Sequence, residues 1–315
     1  MGTGRARANP VRVRCSLAPF NKVIDVKWFW CCFFAFWPIV AVVACAIAPS
    51  MGWWFPGEAA SPLGRRIDDL FYMILVITTI TFVGTQAGLA YVLFTGARRT
   101  EPGNTEKTWF SHGSHELEVI WSTVPALVLL FIALYQLNVW AEYRVKDAFP
   151  RRDMESLLSR IHQNRTPRDS IALAEVTARQ FEWRIRYPGF DKDGHLLPLM
   201  PEPQPTDLYA VNDLHLPANA PVMINLKTQD VQHSFFLPDL RVKQDAVPGL
   251  SIPVWFEAEQ EQSYPLLCAE LCGWGHYKMK ARFVAESETG FMNYLRNLHS
   301  QQNYDGVHVK AEEDE

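Results

Sequence analysis

The sequence predicts a membrane-anchored chain with apolar helices at its N-terminal end and an all-β domain, sandwich or barrel, outside the cytoplasm. Three observations carry this. No Lys, Arg, Asp or Glu occurs from Trp28 to Gly57, from Leu70 to Ala97 or from Val119 to Ala141, windows of 30, 28 and 23 residues, whereas a spanning helix needs only about 20 apolar residues. Beyond residue 170 the chain reads largely as short apolar runs broken by Pro-Gly, Asp-Gly and Pro-rich turns. With 315 residues, 48% apolar, 20% charged and a net charge of −4, the chain exceeds one ordinary domain, and most of it cannot be disordered.

Residues 1–27 form a basic arm. Arg5, Arg7, Arg12, Arg14, Lys22 and Lys27 outweigh Asp25 by a net +5, and the bias of positive charge toward the cytoplasm puts this end inside. Residues 28–48, rich in Trp and Phe, are read as a transmembrane helix or a cleaved signal. Trp53-Trp54-Phe55 beyond them suits an interfacial belt, and Val42-Val43-Ala44-Cys45 loosely fits the pattern cut ahead of a lipid-modified cysteine.

Residues 70–141 form a helical hairpin whose connecting loop carries Arg98, Arg99 and Lys107 and is therefore cytoplasmic. Everything from residue 142 onward then lies outside, with a net charge of −7. Residues 142–170 are a charged insertion. Within it Met154, Leu157, Leu158 and Ile161 stand at i, i+3, i+4 and i+7 and predict a short amphipathic helix, either packed on the β domain or free to meet a partner.

Strands are expected at Ile171–Ala178, Phe181–Tyr187, Leu208–Leu214, Val222–Leu226, Ile252–Ala258 and Arg282–Ala285. The β domain spans 171–287, and residues 288–315 are a C-terminal helix and an acidic tail. Nothing suggests nucleic acid, because the basic residues form no aromatic-interleaved stripe; membrane lipid is the partner the apolar windows require.

Of six cysteines only Cys268 and Cys272 lie in a polar region, so there is no disulfide framework. They open the densest cluster of metal-capable side chains: Cys268, Glu270, Cys272, His276 and Met279, with His233 thirty-five residues before the first. Two thiolates, two imidazoles and a thioether suit copper and exclude calcium or magnesium at the same ligands. A blue-copper site uses one Cys, so the second sulfur points to two coppers. Zinc is disfavoured because no second short-spaced pair exists; a Cys268–Cys272 disulfide is open to the metal-free chain.

The pattern Cys268-x-Glu270-Leu-Cys272-Gly-x-x-His276-x-x-Met279 resembles the copper loop of subunit II of the haem–copper cytochrome c oxidases. Asp230-Val-Gln-His233-Ser-Phe-Phe-Leu-Pro238, Arg241-Val-Lys-Gln-Asp-Ala-Val-Pro-Gly249 and Leu117-Glu118-Val-Ile-Trp121 with Pro125 are similar to its other signatures, so the resemblance runs from about residue 66 to 299. It implies a cupredoxin-like β domain with a binuclear CuA centre held by the side chains of His233, Cys268, Cys272, His276 and Met279 and by the backbone carbonyl of Glu270. The Glu270 carboxylate would also face a magnesium ion at the subunit I boundary, and Glu118 would stand near a proton-uptake channel, its alternative being a solvated carboxylate.

By the same resemblance, the chain accepts electrons from cytochrome c or a membrane-bound c-type donor. It passes them to haem in subunit I, where oxygen is reduced to water as protons are translocated, and it assembles with subunits I and III in a bacterial inner membrane with the copper domain periplasmic. A quinol oxidase subunit and a membrane-tethered cupredoxin carrier outside any oxidase are the alternatives. The chain departs from the family in three places. Gln180-Phe181-Glu182-Trp183 replaces Gln-Trp-Tyr-Trp at the electron-docking patch, leaving Trp183 and Phe181 as its candidates. An apolar segment precedes the hairpin, and residues 150–168 are inserted. No Cys-x-x-Cys-His occurs, so no c-type haem is fused here.

Overall fold

The computed structural model describes residues 26–54, 57–99, 103, 105, 113–145, 149–162 and 171–304. Most of the basic arm, Cys15, Lys107, part of the charged insertion and the acidic tail lie outside them. Among the described residues three helices are long and apolar enough to cross a membrane: α1 (Val26–Ile47), α2 (Pro62–Arg99) and α3 (His115–Arg144). At 1.5 Å per residue even α1 reaches about 33 Å, against a hydrocarbon core of about 30 Å. Ser114 caps α3 by accepting from the Leu117 N–H, and Glu116 and Glu118 in its first turn complement the helix dipole.

The described residues fall into two compact units. One holds α1 as far as Ala46 with α2 from Thr78 onward, where Trp28 meets Phe94 edge to face. The other holds the first turns of α2, all of α3 and everything after it.

In this second unit, α4 (Arg151–Ile161) precedes ten strands: β1 (Ala174–Arg179), β2 (Glu182–Tyr187), β3 (Leu208–Val211), β4 (Asp213–Pro217), β5 (Val222–Thr228), β6 (His233–Leu237), β7 (Val242–Ala246), β8 (Ile252–Phe256), β9 (Gln262–Cys268) and β10 (Lys280–Glu286). Helix α5 (Glu288–Tyr304) comes last. The strands form two five-stranded sheets, ordered β3-β2-β1-β5-β8 and β4-β10-β9-β6-β7, in a sandwich. Trp183, Tyr187, Phe235, Phe256, Phe283 and Phe291 fill the space between and beside them.

The expected strand Leu208–Leu214 is two strands in different sheets. Asn212 adopts a left-handed conformation (φ 57°) between them and turns the chain from β3 into β4. β7 and β9 appear where the sequence predicts no strand. All four apolar residues of α4 are buried: Leu157, Leu158 and Ile161 join the main core, while Met154 packs with Leu63, Ala172, Leu199, Met223 and Trp255. This helix is part of the core and has no apolar stripe left for a partner.

The Pro62 end of α2 and the Arg144 end of α3 are bonded to the sandwich. Ser61 donates to the Leu240 carbonyl and accepts from the Gly64 N–H, and Arg241 makes a two-pronged pair with Asp68 at 2.9 and 3.0 Å. Arg65 pairs with Glu259. From α3, the Tyr143 hydroxyl donates to the Lys243 carbonyl, and the Trp255 indole donates to the Glu142 carbonyl.

Candidate metal centre

His233 opens β6, Cys268 closes β9, and the loop from Cys268 to Met279 runs into β10. Because β9 lies between β6 and β10 in its sheet, the loop folds back beside β6. The Cys268 N–H donates to the Met279 carbonyl and the Ala269 N–H to the Ser234 carbonyl, and one 3-10 turn, His276–Lys278, delivers His276 and Met279. Residues far apart in sequence are thereby gathered at one end of one sheet.

His233 Nδ1 lies 3.1 Å from Met279 Sδ and 3.8 Å from Cys268 Sγ. The two cysteine sulfurs are 3.9 Å apart and unbonded to each other. Cys272 Sγ stands 3.6 Å from His276 Nδ1 and 3.8 Å from Met279 Sδ, and Cys268 Sγ is 3.2 Å from the Glu270 carbonyl oxygen. Ligands each about 2.0–2.3 Å from one ion at tetrahedral angles are separated by about 3.3–3.8 Å. The donors are thus spaced as ligands around shared ions, and their softness fits copper.

Two residues outside the expected set hold this arrangement. Asp230 Oδ1 lies 2.9 Å from His233 Nε2. A carboxylate only accepts, so Nε2 carries the proton and the Nδ1 lone pair faces the sulfurs. Gln180 donates from its side chain to the Cys272 carbonyl and from its backbone N–H to Asp230 Oδ2. Burial alone would raise the Asp230 carboxyl, but the N–H groups of Gln180 and Val231 and the His233 ring hold it below the usual carboxylate range. Asp230 sits three residues before His233 and Gln180 beside Phe181, so both are visible in the motifs, but only the fold shows their partners.

Burial raises both thiols. In Cys268 it is overcome by hydrogen bonds with His233, backbone groups at Ser234 and Glu270, and His276, which bring the thiol down to about 6. In Cys272 burial and then the adjacent Cys268 thiolate push it up to about 12. Together they release one proton readily and hold the second, since a second thiolate would place like charges 3.9 Å apart. Cations supply the charge that lets both sulfurs ionise.

Trp183, read from sequence as a docking residue, offers no surface: it is 0% exposed, its ring 6.3 Å from His233 and 5.8 Å from Phe235. Phe181 is half-buried, and its ring lies on the Cys268–Met279 loop itself. A Cβ on Gly275 would come within 2.5 Å of it, and one on Gly273 within 3.2 Å. The exposed aromatic over Phe181 is Trp274, an unspecified position in the motif.

Glu118 is exposed in the first turn of α3. It lies about 38 Å along the helix from Tyr143, far from the donor cluster. The Glu270 side chain is half-buried.

Two family descriptions match this chain: "Cytochrome C oxidase subunit II, periplasmic domain" over residues 174–286, and "Cytochrome C oxidase subunit II, transmembrane domain" over residues 48–139. Curated relatives include cytochrome c oxidase subunit 2 of Thermostichus vulcanus, 25% identical over 272 residues, covering 76% of this chain and 77% of the relative. The alternative cytochrome c oxidase subunit 2 of Bradyrhizobium diazoefficiens is 28% identical over 265 residues, covering 77% and 83%. Among solved structures, the periplasmic domain of cytochrome oxidase subunit II from Bradyrhizobium japonicum superposes with a TM-score of 0.34 at 22% identity, over 41% of this chain and 93% of that one.

Proposed function

The chain belongs to the cytochrome c oxidase subunit II family, and from that premise we propose that it is the electron-accepting subunit of a haem–copper oxidase, carrying a binuclear copper centre. The observation that carries this reading is the convergence of two thiols, two imidazole Nδ1 atoms and one thioether, spaced 3.1–3.9 Å in the contacts that link them. His233, Cys268, Cys272, His276 and Met279 hold the metals by side chain and Glu270 by its carbonyl. When bound, such a copper pair takes up and gives back one electron with little change in its bonds.

The chain's own groups make that exchange local and repeatable. Asp230 fixes the His233 tautomer, and Gln180 pins the loop at Cys272. Burial of His233, Cys272 and Met279 keeps water from the donors. Electrons arrive from cytochrome c or a comparable c-type donor and continue to haem in subunit I, and subunits I and III surround the helices in a bacterial inner membrane with the copper domain periplasmic. The Glu270 carboxylate is available to a magnesium ion at the boundary with subunit I. Glu118, exposed at a helix start, collects protons for uptake.

Electron paramagnetic resonance of the copper-loaded full chain tests the reading. A mixed-valence seven-line hyperfine pattern is expected. A four-line signal from isolated copper would refute the binuclear centre, and failure to load copper would favour a quinol oxidase subunit.

A further inference from the structure

The copper loop exposes three large apolar side chains close together in sequence: Leu271 and Trp274 are each 78% exposed and Tyr277 is 66% exposed. Clustered apolar exposure of this kind on a folded domain marks a contact surface, and Trp and Tyr are the residues that anchor protein interfaces most strongly. Trp274 stands two residues from His276, and its ring meets Phe181 edge to face with centroids 5.1 Å apart. Phe181 in turn rests on the backbone at Gly273 and Gly275. Trp274 and Phe181 thus form an aromatic pair that joins an exposed ring to the loop that holds the donors.

The cations on and next to this patch in sequence oppose the net charge of the domain. Arg179, Lys278 and Lys280 are exposed, and none of the three has a carboxylate partner among the described residues. Lys278 Nζ sits 5.4 Å from the Trp274 ring and 5.5 Å from the Tyr277 ring, a cation–π arrangement that keeps the ammonium on the patch. Of the carboxylates near these residues, Glu182 is offset by Arg184, whereas Asp230, bonded to the N–H groups of Gln180 and Val231 and to the His233 ring, keeps its negative charge. Glu270, half-buried, is the remaining carboxylate on the loop. Among the described residues the three cations thus outnumber these two carboxylates, Asp230 and Glu270, and with a screening length of about 8 Å at physiological salt the local sign decides what docks.

We propose that Trp274, backed by Phe181 and with Lys278 against it and Arg179 and Lys280 close in sequence to Phe181 and the loop, is the face on which this chain receives its electron donor, and that the donor presents an acidic surface. This rests on the copper reading above. The transfer is a single electron: the donor is oxidised by one, the site is reduced by one, and no bond or proton moves.

The test uses the purified oxidase containing this chain, with two probes: a lysine-rich mitochondrial cytochrome c and the same protein with its lysines succinylated. Dissociation constants are measured at low and physiological ionic strength. The succinylated probe should bind at least about tenfold more tightly at low salt. The double variant Arg179→Glu, Lys280→Glu should reverse that preference, and Trp274→Ser should weaken both probes about tenfold with the copper spectrum intact. Tighter binding of the native probe, or variants that leave both constants unchanged, would overturn the proposal. Copper content is assayed separately, so a metal-free parent would sink the copper reading while the binding data still judge the docking face.

Discussion

Asp230→Asn isolates what the partner of a metal-facing histidine contributes. Both carboxylate oxygens are occupied: Oδ2 accepts from the Gln180 N–H at 2.8 Å, and Oδ1 accepts from the Val231 N–H at 2.7 Å and from His233 Nε2 at 2.9 Å. An amide has only one accepting oxygen. With that oxygen in the Oδ1 place, the NH2 confronts the Gln180 N–H; flipped, it confronts two donors. An orphaned donor costs about 1–3 kcal/mol, and the outer partner of a ligating histidine is worth about 10–100-fold in metal affinity. The Asp230 side chain is 28% exposed, so water replaces part of what is lost. The low end applies: about tenfold in copper affinity, or about 1.4 kcal/mol, and about 1 kcal/mol of metal-free stability. Copper titration of the full chain against a competing chelator gives the first number and thermal unfolding of the metal-free chain the second. An affinity within twofold of the parent would refute the argument that Asp230 orients His233.

Acid should unfold the β domain partly through Glu175. Burial raises its carboxyl, but hydrogen bonds from Arg186 and Lys227 bring it below the ordinary value, so its contribution is present above the unfolded value of about 4.3 and is lost as pH falls through the folded one. Melting temperature against pH should show a shallower acid limb in Glu175→Gln than in the parent. Leu157→Ala, at a side chain buried in the main core, should cost about 2–5 kcal/mol in denaturant unfolding; a loss under about 1 kcal/mol would mean that α4 is not core. Glu118→Gln should slow the reductive part of turnover and leave the copper spectrum unchanged, and equal turnover at every accessible pH would reduce Glu118 to a surface carboxylate.

The three long helices were legible because a charge-free window is a one-dimensional signal. The same holds for α4, whose four apolar residues announce one face and are all buried. Strands were legible where apolar residues recur in short runs between turn signals, as in β1, β2 and β5. β7 reads Val-Lys-Gln-Asp-Ala and β9 carries Pro265, and neither pattern announces a strand; their pairing partners supply what propensity does not. In the Cys268–Met279 loop, contiguous residues spell the candidate donors, but Asp230 and Gln180 gain their contacts only when β1, β2 and β6 come together. Trp183 could have been read correctly. It shares the inward face of β2 with Ile185 and Tyr187 at a spacing of two, and all three are fully buried.

The paired anchorage of α2 and α3, through Ser61, Asp68 and Tyr143, bears on the electron transfer proposed above. A redox head on a loose tether can swing between donor and acceptor and tolerate a poor fit at each. One bolted at two helix ends cannot swing. Electron tunnelling falls off exponentially with separation, so under the proposed function a head held in this way would offer each donor the same gap and pass its electron across another fixed gap. In the proposed role such a chain is a relay station rather than a ferry.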